Sequence, residues 1–318
     1  MDNRINWLLT STPWVKYRTQ VDLLNLPEGH EEVKKARLAM LESPRVKTLI
    51  EELTNWPGSP LINHKSAGHA LHKLVFLADL GLTVNDPGME ELIQKVMQHQ
   101  EEDGAFQMLT NIPVKFGGPG TDVWAWALCD APSLSYALIK FGLSSHAAVQ
   151  KSIGTITGLV RQNGWPCAGS TNYGSFRGPG RKIDPCPYAN LISVKMLAAH
   201  PDSRESEACK SGAESLLDCW QRRQTFHPYI FYMGDDFCKL KAPLVWFDIL
   251  HVATVLAQIP WLKEDPRLLE MKSIIAEKAD AEGLFTPESV WMAWKDWDFG
   301  QKKTPSSWLT YLAMKALA

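Results

Sequence analysis

Residues 177–188, RGPGRKIDPCPY, gather two arginines, a lysine, an aspartate, a cysteine and a tyrosine at the entrance of an apolar stretch. Pro185 and Pro187 flank Cys186 and restrict the backbone, which predicts a helix starting at Pro187 with Asp184 and Cys186 at the positive end of its dipole. That position favours a thiolate. A thiolate and a carboxylate two residues apart can face one metal ion, a pairing that suits zinc. Two ligands are too few, and the next apolar stretch, PLVWFDILHVATVLAQ (243–258), carries Asp248 and His251 three apart and so on one helical face. A charge in such a stretch needs a partner. Asp184, Cys186, Asp248 and His251 are therefore the candidate metal ligands, and Asp248, His251 and Tyr188 the candidate catalytic groups. The competing reading gives Asp184 to a helix cap, Cys186 to packing, Asp248 and His251 to an internal hydrogen bond, and the cations to a solvated loop.

Other residues could line a site. HKSAGHALHKL carries His64, His69 and His72, with His69 and His72 on one face. Lys65 and Arg18 stand five residues after Pro60 and Pro13, as Asp248 does after Pro243, so His69 and Lys65 join the candidate substrate-binding residues. Trp124 and Trp246 are candidates for aromatic walls, whereas Asp235 and Asp236 in MGDDFCKL read as a loop turn.

The elements that must position these groups are helical. Six apolar stretches open near Pro13, Pro60, Pro132, Pro187, Pro243 and Pro305, where proline at a first helical position costs no internal hydrogen bond. Between them lie amphipathic stretches with apolar residues at three- and four-residue spacing, such as GMEELIQKVMQHQ and SEACKSGAESLLDCWQ. Three of these end in a glycine shortly followed by an aromatic ring, in QEEDGAF (100–106), RQNGW (161–165) and DAEGLF (280–285). No convincing strand pattern is visible. Apolar helices belong inside and amphipathic ones outside, so the expected fold is all-α, a single (α/α)6 toroid over residues 1–318.

At this point the chain resembles the prenyltransferase and squalene-cyclase-like toroid family, whose repeats carry a Q-x-x-x-G-x-W turn. Gln100, Gly104 and Phe106 nearly match it. Locally, Asp184-Pro-Cys186 resembles the zinc-binding β subunit of protein prenyltransferases. That resemblance implies an axial apolar cavity with chemistry at the inner-helix starts, and a zinc held by Asp184, Cys186 and either Asp248 or His251. It further implies that Arg177, Arg181, Lys182 and Tyr188 hold a diphosphate, whose leaving charge guanidinium groups stabilise.

Composition narrows the classes. The net charge of -2 lacks the basic excess that binding a phosphate backbone needs, so nucleic acid is not an expected partner. No window approaches 18 apolar residues and no secretory pattern opens the chain, so no integral membrane segment and a cytoplasmic location are expected. Six scattered cysteines without a C-x-x-C pair do not read as a disulfide framework. Thirteen tryptophans suit large aromatic surfaces either in the core or around an apolar cavity, and core packing alone accounts for them equally well.

The expected function is a zinc-dependent enzyme acting on a hydrophobic small molecule of isoprenoid or polycyclic type, with any protein partner unspecified. One alternative is a metal-independent cyclase, lyase or isomerase working through Asp, His, Tyr and Cys. Another is a noncatalytic carrier of apolar ligands.

Overall fold

The computed structural model describes residues 2–176, 178 and 180–318, which leaves Arg177 of the expected site outside the described residues. The chain divides into two compact units. The first joins residues 1–51 to 235–318, and the second spans 52–234.

The chain opens with α1 (Asn3–Leu9), α2 (Pro13–Arg18), α3 (Glu31–Glu42) and α4 (Pro44–Leu53). The second unit then alternates buried and amphipathic helices: α5 (Ala70–Leu80), α6 (Met89–Met97), α7 (Ala131–Leu138), α8 (Ala147–Gly158), α9 (Pro187–Ala199) and α10 (Glu207–Gln221). The chain returns to the first unit with α11 (Asp235–Cys238), α12 (Ile249–Leu256), α13 (Pro266–Ala276) and α14 (Ser307–Leu317). In the second unit α5 packs on α7 and α7 on α9, while α8 and α10 cover α7 and α9 from outside. In the first unit α14 packs against both α2 and α12, with α3 on α2 and α13 on α12 and α14. The all-α class and the inner–outer layering read from hydrophobic periodicity are thus present in each unit. Helices α7, α9 and α12 are buried over nearly their whole length, as their unbroken apolar sequences require.

The Gly-aromatic turns close the outer helices as expected. Gly104, Gly164 and Gly283 have φ of 108°, 96° and 79°, and Phe106, Trp165 and Phe285 are buried behind them. Gln100 explains its place in the turn: its Nε2 donates to Gly104 O and Ala148 O, each at 2.8 Å, tying one hairpin to the next outer helix.

Two expectations need correction. A short antiparallel ribbon is present, β1 (Met108–Asn111) with β2 (Asp122–Ala125), in register Met108 to Ala125 and Asn111 to Asp122. With only four residues per strand, no alternating pattern long enough to be read was available. The second correction concerns helix starts. Of the six prolines expected to open inner helices, only Pro13, Pro132 and Pro187 lie at the first or second helical position. After Pro60 the chain first runs along the ribbon, Leu61 pairing with Thr110, and α5 begins ten residues later. After Pro243 and Pro305 the helices wait for Asp248 and Ser306.

The regular feature is the residue before each inner helix: Thr12, His69, Asp130, Cys186, Asp248 and Ser306. From 12 to 69, 130, 186, 248 and 306 the intervals are 57, 61, 56, 62 and 58 residues, far more even than the proline spacing. The repeat is kept at the position before the helix, where His69, Asp248 and Ser306 give a side-chain partner to the helix's first free N–H groups.

Candidate functional site

Of these six residues Thr12, Asp130 and Cys186 make no side-chain capping bond, and Asp130 is the carboxylate among them. Its backbone carbonyl accepts from Ser133 and Leu134 and so starts α7, but its carboxylate makes no capping bond. Oδ1 instead accepts from the Ala127 N–H at 2.8 Å, and Oδ2 lies 3.2 Å from His64 Nε2. The Asp130 side chain is 0% exposed and that of His64 25% exposed. A carboxyl group sealed from solvent thus lies within hydrogen-bond distance of an imidazole that solvent can reach.

His64 is held by its own backbone. His72, on the first turn of α5, donates from Nε2 to the His64 carbonyl at 2.8 Å. Burial drops the His72 imidazole to about 3 from an ordinary 6.5, so it stays neutral and serves as a fixed donor. His69 caps α5: its Nδ1 accepts from the Leu71 N–H, and its Nε2–H donates to Ser59 O. Both ring nitrogens of His69 are committed to backbone, so the expectation that it binds substrate gives way to a structural role.

Beside the pair lie two cysteines and two tyrosines. Cys186 starts α9, and hydrogen bonding from the Cys129 thiol lowers its pKa, opposed by burial and helped by the Ala189 and Tyr188 N–H groups. The same contact, with burial, raises Cys129, so Cys186 is the sulfur that ionises first. Tyr188 is fully buried with its ring 6.3 Å from that of His64. Burial, then the neighbouring Cys129, Asp130 and Cys186, push its phenol far above the ordinary value, which keeps it a proton donor. Burial raises Tyr173 in the same way, with Asp130 the next cause.

The N-terminus of α9 is placed by the preceding turn. Trp165 N–H donates to Asn190 Oδ1 at 2.9 Å, and Asn190 Nδ2 returns bonds to Trp165 O and Cys186 O at 2.9 and 2.8 Å. Gly164 is required there because a Cβ would run into Asn190 Oδ1.

The expected zinc ligands have other occupations. Asp184 lies outside the helix, 3.7 Å from Arg181 Nε, and closes the turn through its N–H to Arg181 O. Cys186 faces Cys129. Asp248 and His251 belong to the first unit, where Asp248 Oδ1 caps α12 by accepting from the His251 N–H at 2.9 Å, and His251 Nδ1 donates to Trp246 O at 2.9 Å. Among the described residues neither unit gathers three or more His, Cys, Asp or Glu side chains as a metal site would need. Within their own units these side chains are spent on a turn, a thiol contact and a helix cap.

The remaining expected residues scatter. Arg181 is 82% exposed and Lys182 is exposed, too far into solvent to share the buried cluster. Lys65 sits in an exposed turn before α5, not on an inner helix. Trp124 stacks its ring on His99 at 3.3 Å on the ribbon, and Trp246 is half-buried in the turn before α12. Of the expected set, Tyr188 and Cys186 join the cluster. Asp130 and Cys129 were missed, and His64 was noted without a role. The signal for Asp130 was its place: an acid with proline two residues on, one repeat interval before Cys186.

No protein-family model matches the chain, and no curated protein matches it in sequence. Among solved structures, a protein from Actinoplanes is 16% identical with a TM-score of 0.41, over 96% of this chain and 89% of that one. The apo type II terpene cyclase MstE from Scytonema is 12% identical with a TM-score of 0.42, over 96% and 86%. A variant of that cyclase in complex with geranylgeranyl dihydroxybenzoate is 12% identical with a TM-score of 0.41, over 96% and 85%. Likeness of this degree carries no function from one chain to another.

Proposed function

We propose that this chain is a metal-independent acid–base enzyme of the cyclase, lyase or isomerase kind, acting on a hydrophobic small molecule of isoprenoid type, with Asp130 and His64 moving the proton. The observation that carries this reading is the fully buried Asp130 carboxyl, free of capping duty and 3.2 Å from His64 Nε2. A carboxylic acid sealed from water can deliver its proton to a carbon–carbon double bond without water competing for the cation that results. The faces of Tyr188 and Tyr173 supply π-density for such a cation. Loss of a proton from the cation, taken up by the carboxylate, closes the cycle with no oxidant or co-reactant. His64, in reach of solvent, exchanges the proton between turnovers. The isoprenoid class is supported by the resemblance of the Gln100–Phe106 turn to the toroid family.

The test is solvent deuterium. Polyprenyl alcohols of several chain lengths are incubated with the protein in D2O with a chelator present, and products are read by mass spectrometry. Wild type should give products with one deuterium on carbon, and Asp130→Asn none. A product formed only on addition of zinc, or an undiminished yield from Asp130→Asn, overturns the reading.

A further inference from the structure

Burying an ammonium without a partner is costly, and the first unit does so at Lys241. The residue is 6% exposed, yet among the described residues its Nζ makes no hydrogen bond and no ion pair, and meets only the Trp291 ring, 5.1 Å from the centroid. A ring face eases the burial of a cation but does not take up its three N–H groups. The placement is fixed on both sides. The Leu240 N–H donates to Glu288 Oε2 at 2.8 Å, and the Leu240 carbonyl accepts from the Glu288 N–H at 2.9 Å. Trp291 Nε1 donates to Pro243 O at 3.2 Å, so segments 240–243 and 288–291 are pinned together with Lys241 between these ties.

The acids of these segments do not balance the charge. Glu288 holds Lys278 Nζ at 2.8 Å. Asp236, its side chain 84% exposed, holds Lys239 Nζ at 3.2 Å, and Asp235 is exposed as well. Asp248 is fully buried, and burial raises its carboxyl to about 7 although Lys241 is near enough to draw it down. Its Oδ1 accepts from the His251 N–H, so the proton belongs on Oδ2, which has no partner among the described residues. Two buried groups eight residues or fewer apart in one segment thus have hydrogens to donate, and neither finds an acceptor among the described residues. Both stand before the first turn of α12, where the helix dipole adds positive potential.

We infer that Lys241 and Asp248, at the start of α12, bind one small monovalent anion, a halide or a carboxylate of formate's size. The anion supplies the counter-charge that Lys241 lacks and accepts from Asp248 Oδ2. A water or a neutral hydroxyl would answer the hydrogen bonds but leave the charge, and a dianion would bring more charge than one ammonium offsets. Bound there, the anion fastens segment 241–248 and with it the first turn of α12. The site belongs to the first unit and does not depend on the role given to Asp130, which lies in the second.

The test is thermal melting of the full chain at one pH below 7, in sodium gluconate, whose anion is bulky, with chloride or formate substituted at constant ionic strength. The wild-type melting temperature should rise by about 2–4 °C for each tenfold of chloride or formate beyond half-saturation, and the anion that acts at the lower concentration is the better fit. Lys241→Met keeps an unbranched stem without the charge. It should show no rise and melt no lower than wild type in gluconate, because it loses no hydrogen bond. Asp248→Asn puts an amide N–H at the position of Oδ2 and should keep the rise. Bromide soaked into crystals of the wild type should give an anomalous peak at hydrogen-bond distance from Lys241 Nζ. A wild type indifferent to both anions, a rise that persists in Lys241→Met, or bromide found only elsewhere overturns the inference. So does a clear loss of stability in Lys241→Met under gluconate, since the protein itself would then already balance the charge.

Discussion

Sealing a carboxyl from water while leaving its imidazole partner in reach of solvent separates proton delivery from proton resupply. Asp130 and His64 are arranged that way. Asp248 is a second sealed acid with a different task. One oxygen caps α12, and the other has no hydrogen-bond partner among the described residues. Burial raises its carboxyl to about 7 from an ordinary 3.8, against the pull of Lys241 and of the His251 and Leu250 N–H groups. The native state therefore keeps a proton that the unfolded chain has released, so this group's stabilisation is complete below about pH 3.8 and lost as pH rises through about 7. Asp248→Asn retains the cap and removes the titration. Melting temperatures across pH should show wild type losing ground to this variant between those two values, with a constant difference above them. His72 works in the opposite sense, with stability lost as pH falls from about 6.5 towards 3, but both proteins carry it and it cancels. Parallel curves would contradict the assignment for Asp248.

At the scale of the element, the inner-helix starts set the site. Three outer helices end in a turn whose aromatic ring is buried, and in the Trp165 turn the backbone is bridged to α9 through Asn190. Asn190→Leu keeps the volume but strips one acceptor and two donors from buried backbone groups. It should cost roughly 3 kcal/mol in urea unfolding, since each orphaned group carries its own desolvation penalty. A loss below about 1 kcal/mol would mean that the bridge is not what holds α9 in place. The hairpins were legible because glycine and aromatic residues recur at the helix ends and apolar spacing follows the helical period. The helix starts were not, because proline marks a turn as readily as a first helical residue, as at Pro60 and Pro243. The capping positions, even in spacing, are filled by six chemically different residues, so no repeated letter announces them.

At the scale of the molecule, the chain ends meet in the first unit. Asp22 accepts from Arg18 at 2.6 Å and from Lys315 at 3.1 Å, and the Tyr311 hydroxyl donates to it as well. Burial alone would raise this carboxyl, but Arg18 and Lys315 pull it well below the usual range. Asp22→Asn leaves the buried Arg18 and the half-buried Lys315 without their acid and should cost about 3 kcal/mol, read by chemical unfolding. A change under 1 kcal/mol would make the network dispensable. The sequence read as one domain; contacts gather into two units, one made from both ends of the chain, and a tie between residues 22 and 311 leaves no local pattern. Charge chemistry was legible in kind but not in place. The Asp-x-Cys pattern is visible in the sequence, whereas its partners depend on which helices are neighbours: Cys186 meets Cys129 across α7 and α9, and the proposed proton donor, Asp130, stands one residue after Cys129.

The proton-transfer role of Asp130 is tested most directly by the turnover of Asp130→Asn relative to wild type, in chelator-treated protein of equal melting temperature. A group that delivers the reacting proton contributes about a hundred- to ten-thousandfold, and a loss of that size with full retention of wild-type rate in the chelator is the expected result. Activity within a few-fold of wild type, or wild-type activity that vanishes with the chelator and returns with zinc, would contradict it.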